Sequence, residues 1–121
     1  MKLGTLLTTV FLVLVAGVAH AADLFTQPIA AVTDQAVICR IANVSSSARD
    51  VSMVVIDYTG TTVESSGNLT VGAGESVALA ASASSQAYCG FTVQGAKSNF
   101  RAGATVHSLS AGTDLFAVPA D

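Results

Sequence analysis

The stretch Ala36-Val37-Ile38-Cys39-Arg40-Ile41-Ala42-Asn43-Val44 decides the fold class of this 121-residue chain. Val37, Cys39 and Ile41 recur at every second position, and the side chains of an extended strand point to alternate faces with that period. Valine and isoleucine are branched at Cβ, which favours strands over helices. The stretch therefore predicts a β-strand whose Cys39 face is turned toward a hydrophobic core.

The same period continues along the chain, and no apolar 3.6-residue period runs for three turns after Ala22. Asp50–Tyr58 has apolar side chains on both faces, which predicts a central strand buried on one side and partly covered on the other. The further predicted strands are Thr62–Ser66, Asn68–Val71, Ser76–Ala83, Gln86–Val93, Phe100–Leu109 and Asp114–Val118. About six to eight short strands separated by regular turns predict an all-β chain folded as an antiparallel β-sandwich.

Glycine-containing segments between these strands are the predicted turns, because glycine readily adopts a positive φ. They are Tyr58–Thr61, Gly72–Glu75, Gly95–Ser98 and Ala111–Thr113, of which Gly72–Glu75 and Gly95–Ser98 are predicted to close hairpins. Residues 22–35 are expected to form an N-terminal arm or edge strand, since Pro28 cannot donate a hydrogen bond within a central strand. The predicted sandwich domain spans residues 36–121.

The first 21 residues predict export. Lys2 precedes an apolar run from Leu6 to Ala19, and Ala19-His20-Ala21 has small residues where signal peptidase requires them. The apolar run is shorter than a typical membrane span. We therefore expect residues 1–21 to be a cleaved secretory signal, with an uncleaved anchor as the alternative, and the remaining chain to be secreted or periplasmic.

Cys39 and Cys89 are the only cysteines. An even number in an exported chain favours a disulfide. A redox-active or metal-binding pair is the alternative, but the chain has no C-x-x-C motif and only one histidine, His107, after the signal. Each cysteine lies in mid-strand among inward-facing apolar residues. A bond between them would therefore join two non-adjacent strands, most naturally across two sheets.

This arrangement resembles the immunoglobulin-like sandwich over most of residues 22–121. The resemblance implies an architecture and not membership of the antibody family, because the chain has no tryptophan to pack on the disulfide. In addition, Tyr88 immediately precedes Cys89, whereas the immunoglobulin tyrosine stands two residues before the cysteine. The segment Cys39-Arg40-Ile41-Ala42-Asn43 is also similar to the Cys-x-Ile/Val-x-Asn opening strand of small, uncharacterised secreted bacterial proteins. That similarity implies no particular activity.

The charges exclude several classes of partner. Lys2 lies in the signal, so four scattered cationic residues remain against eight acidic ones. Without a basic face, neither nucleic acid nor anionic lipid is an expected partner. No cofactor or metal is expected either.

No catalytic residue is expected. His107 shares the polar face of its strand with Arg101 and Thr105, so we predict a surface histidine rather than a member of a triad. The Gly74–Ala78 segment ends in alanine and departs from G-x-S-x-G. Asp57 and Glu64 form the one close carboxylate pair, for which a solvated rim is favoured over a glycosidase or calcium site.

Two further patterns concern carbohydrate. Asn43-Val44-Ser45 and Asn68-Leu69-Thr70 fit the N-glycosylation pattern. Carbohydrate recognition uses exposed aromatic side chains, but we expect the core to occupy most of the few aromatics present. The candidates least suited to the core are Tyr88, which lies beside Cys89, and Arg101 beside Phe100.

The sequence predicts a secreted, non-enzymatic β-sandwich module that acts by surface binding, adhesion or assembly. The expected partner is an unknown protein or surface, and self-association through strand edges is a further expectation. The alternatives are a small inhibitor of a secreted hydrolase, which would present the loop Gly95–Asn99, and a hydrolase that depends on His107.

Overall fold

A computed structural model describes residues 21–82 and 85–121. The predicted signal peptide therefore lies outside the described residues except for Ala21, as do Ala83 and Ser84. The strands are β1 (Ala21–Phe25), β2 (Ile29–Ala30), β3 (Gln35–Asn43), β4 (Arg49–Asp57), β5 (Thr62–Val71), β6 (Ser76–Ser82), β7 (Gln86–Gln94), β8 (Phe100–Ser108) and β9 (Thr113–Pro119). A short 3₁₀ helix, Lys97–Asn99, precedes β8.

The strands form two antiparallel sheets. Sheet 1 has the order β1-β7-β4-β5, with β2 also paired to β7, and sheet 2 has the order β6-β3-β8-β9. A disulfide joins Cys39 of β3 to Cys89 of β7, and therefore links the two sheets. The predicted all-β sandwich with one inter-sheet disulfide is confirmed. The described residues form nine strands, compared with the six to eight expected, because residues 22–35 contribute most of β1 and all of β2.

Aliphatic side chains and the disulfide fill the space between the sheets. Val51, Met53 and Val55 of β4 are almost completely buried, whereas Val54 and Ile56 on its outer face are only half-buried. β4 lies between β7 and β5, as expected for a central strand. No helix in the described residues is long and apolar enough to cross a membrane.

The predicted hairpins at Gly72–Glu75 and Gly95–Ser98 are wrong. These segments lead from β5 to β6 and from β7 to β8, and each pair lies in different sheets. β6 and β8 instead both pair with β3. A short glycine turn reverses the chain equally well within a sheet or between sheets, so turn chemistry alone does not select the partner. In immunoglobulin domains the strand of the second cysteine shares a sheet with the next strand, and β7 and β8 differ from that order.

β5 unites two segments that the sequence predicted as separate strands. Gly67 has a φ of +65° and lies where the pairing with β4 shifts register. A bulge of this kind bends a strand without ending it. Gly67 therefore marks an irregularity inside one strand rather than a turn between two.

The beginning and the end of the described chain close one side of the sandwich. The Phe25 backbone N–H donates to the Asp121 carbonyl at 2.9 Å, and the Asp121 N–H donates to the Phe25 carbonyl at 3.0 Å. Thr26 forms an adjacent bridge with Ala120. These contacts cover the Phe25 end of the free edge of β1, where backbone groups would otherwise be unpaired.

Candidate functional site

Four of the six aromatic side chains after residue 21 lie wholly or partly at the surface. They are Phe25, Tyr58, Tyr88 and Phe116. Phe91 and Phe100 alone are buried. The expectation that the core would occupy most aromatics is wrong, because valine, isoleucine, methionine and the disulfide fill most inward positions. Alternation indicated which residues share a face but not how little aromatic volume the core requires.

Phe25 and Tyr88 lie together on the outer face of sheet 1. Their ring centroids are 6.4 Å apart with an interplanar angle of 61°, which is an edge-to-face arrangement. Phe25 of β1 pairs with Gly90 of β7, and a Cβ atom added at Gly90 would lie 3.1 Å from Phe25 Cε1. The absence of a side chain at Gly90 therefore lets the Phe25 ring approach the sheet closely.

Tyr58 projects from the turn between β4 and β5, with 72% of its surface exposed. Asp57 Oδ1 accepts hydrogen bonds from the Thr59 N–H at 2.9 Å, the Thr59 hydroxyl at 2.6 Å and the Thr61 N–H at 3.1 Å. Gly60 supplies the positive φ, +84°, that the turn requires. The Asp57 carboxylate thus holds the turn while the Tyr58 ring faces solvent.

The titration of Asp57 should report on this turn. The hydrogen bond from the Thr59 hydroxyl, followed by that from the Thr61 backbone, holds the pKa of Asp57 below its usual 3.8. Because the folded-state pKa is lowered, the stabilising contribution is present above pH 3.8 and is lost as the pH falls through the lower folded value. We expect the amide resonances of Thr59 and Thr61 to move together with a midpoint below 3.8 in an NMR titration. A midpoint at or above 3.8 would contradict this assignment.

A shallow pocket of about 240 Å³ lies between the Tyr58 turn and Tyr88. Its lining residues are Pro28, Asp57, Tyr58, Gly60, Gln86, Ala87 and Tyr88. The aromatic rings offer apolar faces, while the carboxylate of Asp57 and the amide of Gln86 offer hydrogen-bonding groups. We call Phe25, Tyr58 and Tyr88 the aromatic face. Asp57 and Gln86 of the pocket form its polar border. Of the two sequence candidates for an aromatic platform, Tyr88 belongs to this face, whereas Phe100 beside Arg101 is only 3% exposed.

His107 lies on the outer face of sheet 2, as predicted. Its Nδ1 is 2.8 Å from Asp114 Oδ1, across the β8–β9 pair. No hydroxyl in the described chain bonds to the other ring nitrogen. The structure therefore brings His107 together with a carboxylate but not with a nucleophile.

The two carboxylates that the sequence paired have different surroundings. Asp57 uses Oδ1 within its own turn, and Glu64 pairs through its backbone with Val55 on the neighbouring strand. Within residues 21–82 and 85–121, no group of three or more histidine, cysteine or acidic residues could hold a metal.

The two glycosylation patterns differ sharply in exposure. Asn43 is completely buried, and its Nδ2 donates to the carbonyl oxygens of Ser47 and Val71. Asn68 is exposed on β5. In the folded protein only the Asn68 side chain is accessible to a modifying enzyme.

The loop Gly95–Asn99, which the inhibitor alternative would use, is held against the sandwich. The Val44 N–H donates to the Asn99 carbonyl at 2.9 Å, and the Asn99 N–H donates to the Ala96 carbonyl at 3.1 Å. Lys97 is exposed at this loop. The loop is therefore a compact turn that includes the 3₁₀ helix.

The sequence matches no protein-family model, no characterised protein and no solved structure.

Proposed function

We propose that this protein is a secreted, non-enzymatic binding module that holds carbohydrate on its aromatic face. The observation that carries the proposal is the grouping of Phe25, Tyr58 and Tyr88 beside Asp57 and Gln86. Exposed apolar patches with a polar border are typical of binding surfaces. The inter-sheet disulfide suits an extracellular or periplasmic location, where such a module would meet glycans.

Carbohydrate matches the chemistry of this surface. The face of an aromatic ring is electronegative, so it attracts the weakly positive C–H groups on the flat side of a sugar ring. Sugar hydroxyls can donate to the Asp57 carboxylate and exchange hydrogen bonds with the Gln86 amide. Because the Tyr58 turn is already held by its own hydrogen bonds, little ordering is required on binding.

Tyrosine fluorescence offers a direct test. The chain has no tryptophan, and its only two tyrosines, Tyr58 and Tyr88, both belong to the aromatic face. We expect a saturable change in tyrosine emission when the protein is titrated with a matching member of a panel of oligosaccharides and polysaccharides. Phe25→Ala keeps both tyrosines and should weaken that binding by about fivefold, since one aromatic ring contact contributes on the order of 1 kcal/mol.

Phe116→Ala is the matched control. Phe116 is 47% exposed and Phe25 is 49% exposed, but Phe116 lies on β9 of sheet 2. We expect Phe116→Ala to leave the affinity unchanged. An unchanged emission with every glycan, or equal losses in the two variants, would reject the proposal.

A further inference from the structure

The outer face of sheet 2 carries two neighbouring arginines. Arg40 of β3 pairs with Gly103 of β8, and Arg101 of β8 pairs with Ala42 of β3. The two arginines therefore occupy diagonal positions, with Cβ atoms about 7–8 Å apart. They border an open groove of about 560 Å³ that crosses β6, β3 and β8.

Neither arginine has an acidic partner in the described residues. The one ion pair there within 4 Å joins His107 to Asp114, and no carboxylate lines the groove. Arg101 Nη1 donates to the carbonyl oxygens of Phe100 at 2.8 Å and Ser98 at 3.3 Å, which orients its guanidinium group. Its other N–H groups, and those of Arg40, have no protein acceptor among the described residues.

This placement concentrates positive charge on one part of the surface. Like charges on neighbouring positions of one sheet face repel each other. The chain has eight acidic residues but only four cationic ones after residue 21. Two of those four stand side by side, and the acidic residues are elsewhere. The arrangement leaves an excess of positive charge that a ligand can neutralise.

We propose that Arg40 and Arg101 together bind a doubly charged oxyanion, a phosphate or sulfate group. Each guanidinium can present two parallel N–H donors to such a group. The positions between the arginines carry only small residues, Ala42 and Gly103, which leaves room for the anion. Gly103 cannot be replaced by a larger residue without moving β9, because an added Cβ would lie 2.7 Å from the Val118 carbonyl oxygen. The site lies on the opposite sheet from the aromatic face and does not depend on it.

Inorganic phosphate is the first probe, with chloride added to keep the ionic strength constant. We expect saturable shifts of the Arg40 and Arg101 side-chain Nε–H resonances in NMR spectra, and none at Arg49. Arg40→Gln should weaken phosphate binding by about tenfold or more, because it removes one of two charge-assisted contacts. Arg101→Gln should have a similar effect.

Arg49→Gln is the matched control, since it removes the same charge from sheet 1. It should leave phosphate affinity unchanged, and amide spectra will verify that all variants are folded. Shifts that rise linearly without saturation, or equal weakening in Arg49→Gln, would overturn the proposal.

A second arm identifies the source of the anion. The protein is mixed with vesicles that contain phosphatidic acid, whose phosphomonoester can carry two negative charges, or with vesicles of phosphatidylcholine alone, and is then sedimented. Association with the anionic vesicles that Arg40→Gln abolishes would assign a lipid headgroup. Saturable phosphate binding without vesicle association would assign a free phosphate group.

Discussion

Replacing both Cys39 and Cys89 with alanine is expected to lower the free energy of unfolding by about 2–5 kcal/mol. The bond spans 50 positions of the chain and joins two sheets. In the chain-entropy description, opening a loop of that length stabilises the unfolded state by about 4 kcal/mol. Both cysteines are completely buried, so their truncation also removes core packing. Urea denaturation with CD detection would measure the loss.

The Val55→Ala variant distinguishes the loss of stability caused by removing the crosslink from the loss caused by reduced core packing. Val55 is completely buried and pairs with Cys89 on the neighbouring strand, so its truncation removes core volume at the same place. Without the disulfide the unfolded chain is more expanded, and the dependence of stability on urea should become steeper. Val55→Ala should destabilise the protein without that change in slope. A loss below about 1 kcal/mol with an unchanged slope in the double alanine variant would contradict a constraining role for the disulfide.

The fold was largely predictable because its signals are local. Alternation located β3, β4, β7 and β8 to within one or two residues, and the inward positions of Cys39 and Cys89 correctly implied a link between sheets. The choice of partner for β6 and β8 was not predictable. It depends on which strand edge remains free once the sheets pack, and that is a property of the whole chain.

The candidate sites were much less predictable. Tyr88 was identified because it immediately precedes the inward-facing Cys89 and therefore points outward. Phe25 and Tyr58 belong to distant segments, which only the pairing of β1, β7 and β4 brings close to it. Arg40 and Arg101 are separated by 61 positions, and the β3–β8 register makes them neighbours. Register is therefore the information that the sequence pattern lacked.

Register also explains the segment Cys39-Arg40-Ile41-Ala42-Asn43. Its inward side chains perform three different tasks: Cys39 crosslinks the sheets, Ile41 fills the core and Asn43 binds the loops at the end of the sandwich. Asn43 Oδ1 accepts hydrogen bonds from the Ser45 N–H at 3.0 Å and hydroxyl at 2.7 Å. Arg40 points outward from the same strand and belongs to the anion site that we propose.

Asn43→Asp is expected to lower the free energy of unfolding by about 3–5 kcal/mol at neutral pH, because it places a carboxylate in a buried site where one oxygen keeps the Ser45 donors but the other has none. Asn43 Nδ2 donates to the carbonyl oxygens of Ser47 at 2.9 Å and Val71 at 3.0 Å. A carboxylate has the same shape but donates no hydrogen bond, so one of its oxygens would face two carbonyl oxygens. Urea denaturation at several pH values would measure the loss.

The pH dependence distinguishes this mechanism from a simple loss of packing. Burial and the two facing carbonyl oxygens raise the folded-state pKa of the introduced carboxyl above its unfolded value of about 3.9, against the lowering effect of the Ser45 donors. The folded state then binds the proton more tightly, so the loss should be smallest below pH 3.9 and should grow as the pH rises through the folded pKa. Asn68→Asp makes the same charge change at an exposed position and should alter stability by no more than about 0.5 kcal/mol at any pH. Equal losses in the two variants, or a loss at Asn43 that does not vary with pH, would show that the buried amide does not hold the loops as described.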